Sequence, residues 1–233
     1  MSENIISIKN LTKNYSEVRA LNNVSIDIKP QRIIGLLGPN GSGKTTLIKI
    51  LAGLIKSYDG EVLIDGKKPG IDSKEITAYL PDVNFIDNNW TTEYAIEYFA
   101  DFFKDFNVEK ANFLVKKLGI RRQQKFKHLS KGTKDKVQLI LTLSRDAKLY
   151  LFDEPIAGVD PATRDFIFQL ILENYNKDAS IIISTHLIND AEKILDDVIF
   201  LKEGEIKMFA ETKKIIEFHQ KTVDELFREV FKC

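Results

Sequence analysis

Eight consecutive residues constrain this chain more than any other feature: Gly38 to Thr45 read GPNGSGKT, a full match to G-x-x-x-x-G-K-[ST]. Before them stands the continuously apolar RIIGLLG, and after them TLIKILAG, with apolar residues at Leu47, Ile50, Leu51 and Leu54. A strand, a glycine loop and a helix in that order make a phosphate cradle. Small residues let successive backbone N–H groups curl around an anion at a helix start, where the backbone dipole already favours negative charge. Gly38, Pro39, Asn40, Gly41, Ser42, Gly43, Lys44, Thr45 and Thr46 are therefore candidate nucleotide-binding residues. Lys44 is the residue to reach the β- and γ-phosphates, and Thr45 offers a hydroxyl to Mg²⁺. The flanking strand and helix leave little room for the alternative, a glycine turn that merely caps a helix.

A phosphate loop alone names no reaction, so the rest of the chain has to supply the chemistry. LYLFDEP is an apolar strand ending in Asp153, which places a carboxylate at the C-terminal edge of the sheet, where α/β folds bind ligands. Asp153 is a candidate Mg²⁺ ligand through water, and Glu154 a candidate for polarising the attacking water. By itself such a string is a common strand end; the loop upstream gives it meaning. SIIISTH is a further strand ending on the same edge, so His186 could bond the γ-phosphate, although a lone histidine is more often structural. His128 and His219 have no such placement and read as structural or solvent-facing.

Along the chain, IISIKN and VSIDIKP alternate apolar and polar residues as half-buried strands do, and GEVLIDGKKP reads as a hairpin arm turning at Asp65-Gly66. Residues 85–145 change to helical spacing, which predicts a helical lobe inserted in the core. Trp90, Tyr94, Tyr98, Phe99, Phe102, Phe103 and Phe106 crowd its start. Their spacing predicts that several form the lobe's own core, with a minority lining a groove for a partner's helix. Strands return afterwards, separated by helices, which implies a mostly parallel sheet. The expected fold is α/β: a P-loop core with a mostly parallel sheet, an antiparallel β arm and the inserted lobe, all within a single domain, 1–233.

Composition excludes several functions. Lys+Arg and Asp+Glu both number 34, so no global basic field calls for nucleic acid. Cys233 is the only cysteine, which rules out an intrachain disulfide or a cysteine metal cluster within this sequence. The opening MSENIISIKN lacks the form of a signal peptide, and no apolar run approaches a membrane span. The expectation is a cytoplasmic protein.

One helix start is chemically odd. LSKGTKDKVQL, residues 129–139, opens with three lysines in the turns where negative residues are normally favoured. Set in order, GPNGSGKTT, LSKGT, LYLFDEP, AGVDP and STH resemble the ATP-binding subunit of an ABC transporter, and the match runs from about Ile5 to Ile206. The resemblance implies that Ser130, Lys131 and Gly132, with Lys134 nearby, face the γ-phosphate of ATP bound to a second subunit, so the anion belongs to another chain. It implies adenine stacking on Tyr15 and an interface position for Asp160. It further implies an ATP hydrolase that closes around two MgATP as a homo- or heterodimer. Such a subunit lies at the inner face of the cell membrane through separate transmembrane permease subunits.

Two departures from the family pattern stand out. The usual LSGGQ is LSKGT here, which resembles bacterial exporters of the antibiotic-resistance and GntR-operon type and points to export. Asp82, in AYLPD, stands where a glutamine is usual, as a candidate metal ligand. Two other readings compete with transport: a soluble ATPase of the same fold for assembly or repair, and a nucleotide-sensing scaffold with little turnover.

Overall fold

The computed structural model describes residues 3–231; Cys233, the only cysteine, lies outside them. Continuously apolar strands are stable only when both faces are covered, and the architecture supplies a cover on each side. The strands and helices run β1 (Ile6–Tyr15), β2 (Val18–Ile28), β3 (Ile33–Leu37), α1 (Lys44–Leu51), β4 (Asp59–Ile64), α2 (Ile71–Lys74) and β5 (Thr77–Leu80). Next come three helices, α3 (Thr92–Phe102), α4 (Val108–Lys117) and α5 (Lys131–Leu143). The chain then returns to the sheet through β6 (Leu149–Asp153), α6 (Pro161–Asn174), β7 (Ser180–Thr185), α7 (Ile188–Ala191), β8 (Asp197–Lys202) and β9 (Glu205–Glu211). It finishes in α8 (Thr212–His219) and α9 (Val223–Phe231).

Six strands form the main sheet in the order β5-β6-β7-β3-β8-β9, parallel except for β9, which runs antiparallel to β8. The other three make an antiparallel sheet, β2-β1-β4. Alternate residues of the main sheet serve two cores. Leu149, Leu151, Ile182 and Leu36 face α1 and the antiparallel sheet, whereas Tyr150, Phe152, Ile181 and Phe200 face the helices between β5 and β6 and those at the C-terminus. Period-2 alternation thus survives in strands that contain no polar face.

One local expectation needs correction, and another holds for only some of its residues. Helix α1 ends at Leu51, with Gly53 in the left-handed region at φ 67°, so Leu54 falls past the helix and is 53% exposed instead of packing on it. None of the seven aromatics around α3 is fully buried, but Trp90, Phe99 and Phe106 are half-buried against the core, whereas Tyr94, Tyr98 and Phe102 are exposed. The helix buries its short stripe, Ala95 and Ile96, against Ala111, Leu114 and Phe126. The neighbouring stripe, at four-residue spacing, carries Tyr94, Tyr98 and Phe102, which meet each other on the surface; the Tyr98 and Phe102 rings are stacked, 6.1 Å apart. The Asp65-Gly66 turn is present, with both residues at positive φ and paired bonds between Ile64 and Lys67, but the arm that precedes it pairs with β1.

Candidate functional site

Because β6, β7 and β3 are adjacent and parallel, their C-terminal ends emerge side by side, with β5 next in line. That places the loop after Leu37, the Asp153-Glu154 pair, His186 and Asp82 along one edge. The phosphate loop is shaped by glycines that no other residue could replace. A Cβ on Gly38 would lie 2.3 Å from the Leu201 carbonyl oxygen. Gly43 sits at φ 106°, where a Cβ would lie 2.4 Å from the Ala20 carbonyl oxygen. The loop is therefore pressed between β2 and the end of β8.

Lys44 is only 6% exposed and is held inside the loop. Its ammonium donates to the carbonyls of Gly38 (2.8 Å) and Pro39 (3.1 Å) and lies 3.6 Å from Glu154 Oε1. Burial pulls the Lys44 pKa below the ordinary lysine value, and the nearby Glu154 carboxylate opposes that shift. Glu154 Oε2 meets His186 Nδ1 at 3.0 Å, so Glu154 sits between a lysine and a histidine. Its backbone is left-handed, at φ 49°, uncommon for a residue with a long side chain.

Asp153 is fully buried. Its Oδ1 accepts from Ser184 Oγ (2.7 Å) and Thr45 Oγ1 (3.2 Å), while Oδ2 is buried with no hydrogen-bond partner. Burial raises its pKa, the bonds from Ser184 and Thr45 lower it, and the charges of Asp82 and Glu154 push it up again. An orphaned carboxylate oxygen beside a threonine hydroxyl is a hard, oxygen-only donor set, which suits Mg²⁺. Asp82 is exposed, close enough for its charge to act on Asp153, and it lines a cavity of about 70 Å³ together with Lys131, Asp135, Gln138 and Glu154. Among the described residues, no three acidic, histidine or cysteine side chains converge tightly enough to form a metal cluster by themselves.

The remaining candidates lie apart from this group. Ser130 caps α5, its Oγ accepting from the Thr133 N–H at 3.2 Å; the first turn holds no acidic residue, and the charge of Asp135 acts on Lys131 and Lys134. Asp160 caps α6 in the same manner, accepting from the Thr163 N–H at 3.1 Å. Tyr15 ends β1, 45% exposed, with the Lys13 ammonium 4.7 Å from its ring centroid. A third feature on the surface is a groove of about 560 Å³ between α1, β5 and α3, lined by Leu54, Val83, Phe85, Phe102 and Phe103 among others.

The ABC transporter family model matches residues 21–157, which span the phosphate loop, the LSKGT helix start and the Asp153-Glu154 strand end. The chain belongs to the ABC transporter family. It is an ATP-binding, ATP-hydrolysing subunit of that family. The phosphonates import ATP-binding protein PhnC of Fusobacterium nucleatum is 31% identical, over 92% of this chain and 96% of its own length. A solved ATP-binding subunit of an ABC transporter superposes with a TM-score of 0.87 at 26% identity, covering 97% of this chain and 99% of its own. A dimeric ATP-binding cassette in a post-hydrolysis state with ADP and Pi gives a TM-score of 0.78 at 25% identity, over 88% and 98%.

Two residues of this ABC subunit escaped sequence reading, one at the functional edge and one at the opposite end of the sheet. Ser184 was visible as a polar residue inside SIIISTH, but only the register of β7 against β6 puts it opposite Asp153. Arg145 follows α5 and carried no motif; it is 4% exposed and ties together segments far apart in sequence.

Proposed function

We propose that this subunit powers transport through separate membrane subunits, with Lys44, Thr45, Asp153, Glu154 and His186 as its hydrolytic group. The observation that carries the proposal is the placement of Glu154, which stands between Lys44 and His186 on the edge that the phosphate loop opens. The chain acts as a single domain, 1–233, with residues 85–145 as its helical lobe. Loop N–H groups from Gly38 to Thr46 and the Lys44 ammonium bind the phosphates of ATP, and Tyr15 stacks on adenine. Glu154 takes the proton of the attacking water, and His186 holds the γ-phosphate end in reach of Glu154. Mg²⁺, held by Thr45, Asp153 and Asp82, would offset charge on the phosphate oxygens.

Ser130 bonds Thr133 within its own helix start, and Lys131 lines the small cavity beside Asp82 and Glu154. By the likeness to ABC cassettes, which include a dimeric one, Ser130, Lys131 and Gly132 serve the ATP of a second subunit, identical or different, with Asp160 at the shared interface. The exposed groove receives an apolar segment of a membrane subunit: Leu54, Val83 and Phe102 are 53%, 62% and 67% exposed there. No helix among the described residues is long and apolar enough to cross a membrane. The subunit sits at the cytoplasmic face of the membrane by binding that partner. The export direction rests on the LSKGT departure.

Glu154→Gln tests the reading. It keeps the shape of the side chain and removes its basicity, so MgATP binding persists while turnover falls roughly 10²- to 10⁴-fold. The closed dimer then accumulates with ATP in gel filtration. A monomer at saturating MgATP with unaffected turnover would refute the assignment. Asp82→Ala, titrated with Mg²⁺ alongside, needs more Mg²⁺ for half-maximal turnover; a curve identical to wild type removes Asp82 from the set.

A further inference from the structure

Ser184 stands opposite Asp153 in the register of β7 against β6. Register partners in a parallel pair project to the same face, so the two side chains meet. Ser184 is fully buried, and its hydroxyl is used twice. It donates to Asp153 Oδ1 at 2.7 Å and accepts from the Glu154 N–H at 3.0 Å. A hydroxyl has one proton, so committing it to the carboxylate turns a lone pair toward the amide. The two bonds therefore fix each other's direction. The same Glu154 N–H also donates to the Ser184 carbonyl at 3.1 Å, so residue 184 holds this amide through both main chain and side chain. The tie falls where the chain leaves β6 in the left-handed conformation, at φ 49°.

We propose that Ser184 is a positioning residue for both carboxylates at the end of β6. It ties up Asp153 Oδ1 and leaves Oδ2, which has no partner, as the oxygen that would serve a divalent cation, and it holds the Glu154 backbone in the conformation that aims its carboxylate between Lys44 and His186. The proposal rests on the reading of Asp153 as a metal-holding residue and Glu154 as the base. A strand end this deeply buried would be packed as well by valine, and a hydroxyl there costs desolvation unless it is bonded. Both of its bonds go to the two residues that the reaction needs. Outer partners that orient a metal-holding carboxylate commonly change metal affinity or activity by 10- to 100-fold when lost.

Ser184→Val and Ser184→Thr share one outline and differ in the hydroxyl, and Ser184→Ala adds no bulk. Two quantities are measured on the purified full chain. The first is the gain in ATP affinity on going from EDTA to excess Mg²⁺, by calorimetry; the second is kcat. Ser184→Ala and Ser184→Val lower both by about tenfold, with ATP affinity in EDTA unchanged. Ser184→Thr keeps both close to wild type. Wild-type values in Ser184→Ala and Ser184→Val overturn the proposal, as does a Ser184→Thr chain as defective as Ser184→Val. Asp153→Asn and Glu154→Gln, run in parallel, test the reading underneath. If Asp153→Asn keeps the Mg²⁺-dependent gain or Glu154→Gln keeps turnover, that reading fails; if both lose them and the Ser184 variants do not, only the role of Ser184 fails.

Discussion

Replacing Arg145 by methionine removes the cation that fastens three separate stretches of the chain. The Arg145 Nε donates to Asp105, its Nη2 donates to the carbonyls of Lys74 (3.2 Å) and Glu75 (3.1 Å), and its guanidinium carbon lies 3.9 Å from the Phe103 ring centroid. A hydrogen bond to a charged group contributes about 1.5–3 kcal/mol, and a cation over an aromatic face about 0.5–2 kcal/mol. These terms share one cation and do not add. Removing one partner of a buried ion pair costs about 3–5 kcal/mol in total. The Asp105 side chain is 22% exposed, so the pair is only partly buried, which favours the lower end, about 3 kcal/mol. At about 2–4 °C per kcal/mol for a domain of this size, the melting temperature falls by roughly 6–12 °C. Arg145→Lys recovers only part of the loss, because a single ammonium cannot serve a planar fork of acceptors. Circular-dichroism melting and urea denaturation measure both variants. An Arg145→Met chain within about 1 kcal/mol of wild type refutes the account of this residue as a fastener.

The surface position Phe102, 67% exposed, can carry a charge without loss of stability, so Phe102→Asp melts like wild type and fails to capture the membrane partner; an early melt places it in the core instead. Tyr79 has a buried hydroxyl without a partner, and burial, with the charges of Asp153 and Asp82, raises its pKa above the ordinary value of 10.0. The folded state thus holds the phenolic proton more tightly than the unfolded chain does, and stability falls as pH rises past the unfolded value. Tyr79→Phe has no such proton, so denaturation curves show it losing less stability than wild type above pH 10.0; parallel losses contradict this.

The phosphate loop was legible because its chemistry is local. Strand, glycines, lysine and helix lie within one short run, and the backbone needs no distant partner to close around an anion. Asp153 and His186 were legible as strand ends, since a strand's last residue reaches the edge whatever its neighbours are. The Ser184 contact was not legible, because it depends on which strand lies beside β6 and in what register. Arg145 was hidden for a related reason: its acceptors are mostly main-chain carbonyls, which leave no trace in residue identity. The aromatics around α3 were legible only in part. Trp90, Phe99 and Phe106 do pack on the core, but alanine and isoleucine fill the fully buried stripe of α3, and Tyr94, Tyr98 and Phe102 line up along the outside.

The central claim is that each hydrolytic site is assembled from two chains, the phosphate loop of one and the Ser130 helix start of the other. Mixing a Ser130→Arg chain with a Lys44→Ala chain tests it most directly, because in the mixed dimer one site keeps an intact loop and an intact helix start while the other carries both lesions. Each variant alone is inactive. With mixed dimers formed, the account predicts recovery to about a quarter of the wild-type rate, one intact site in half of the dimers. No recovery from demonstrated mixed dimers would contradict it.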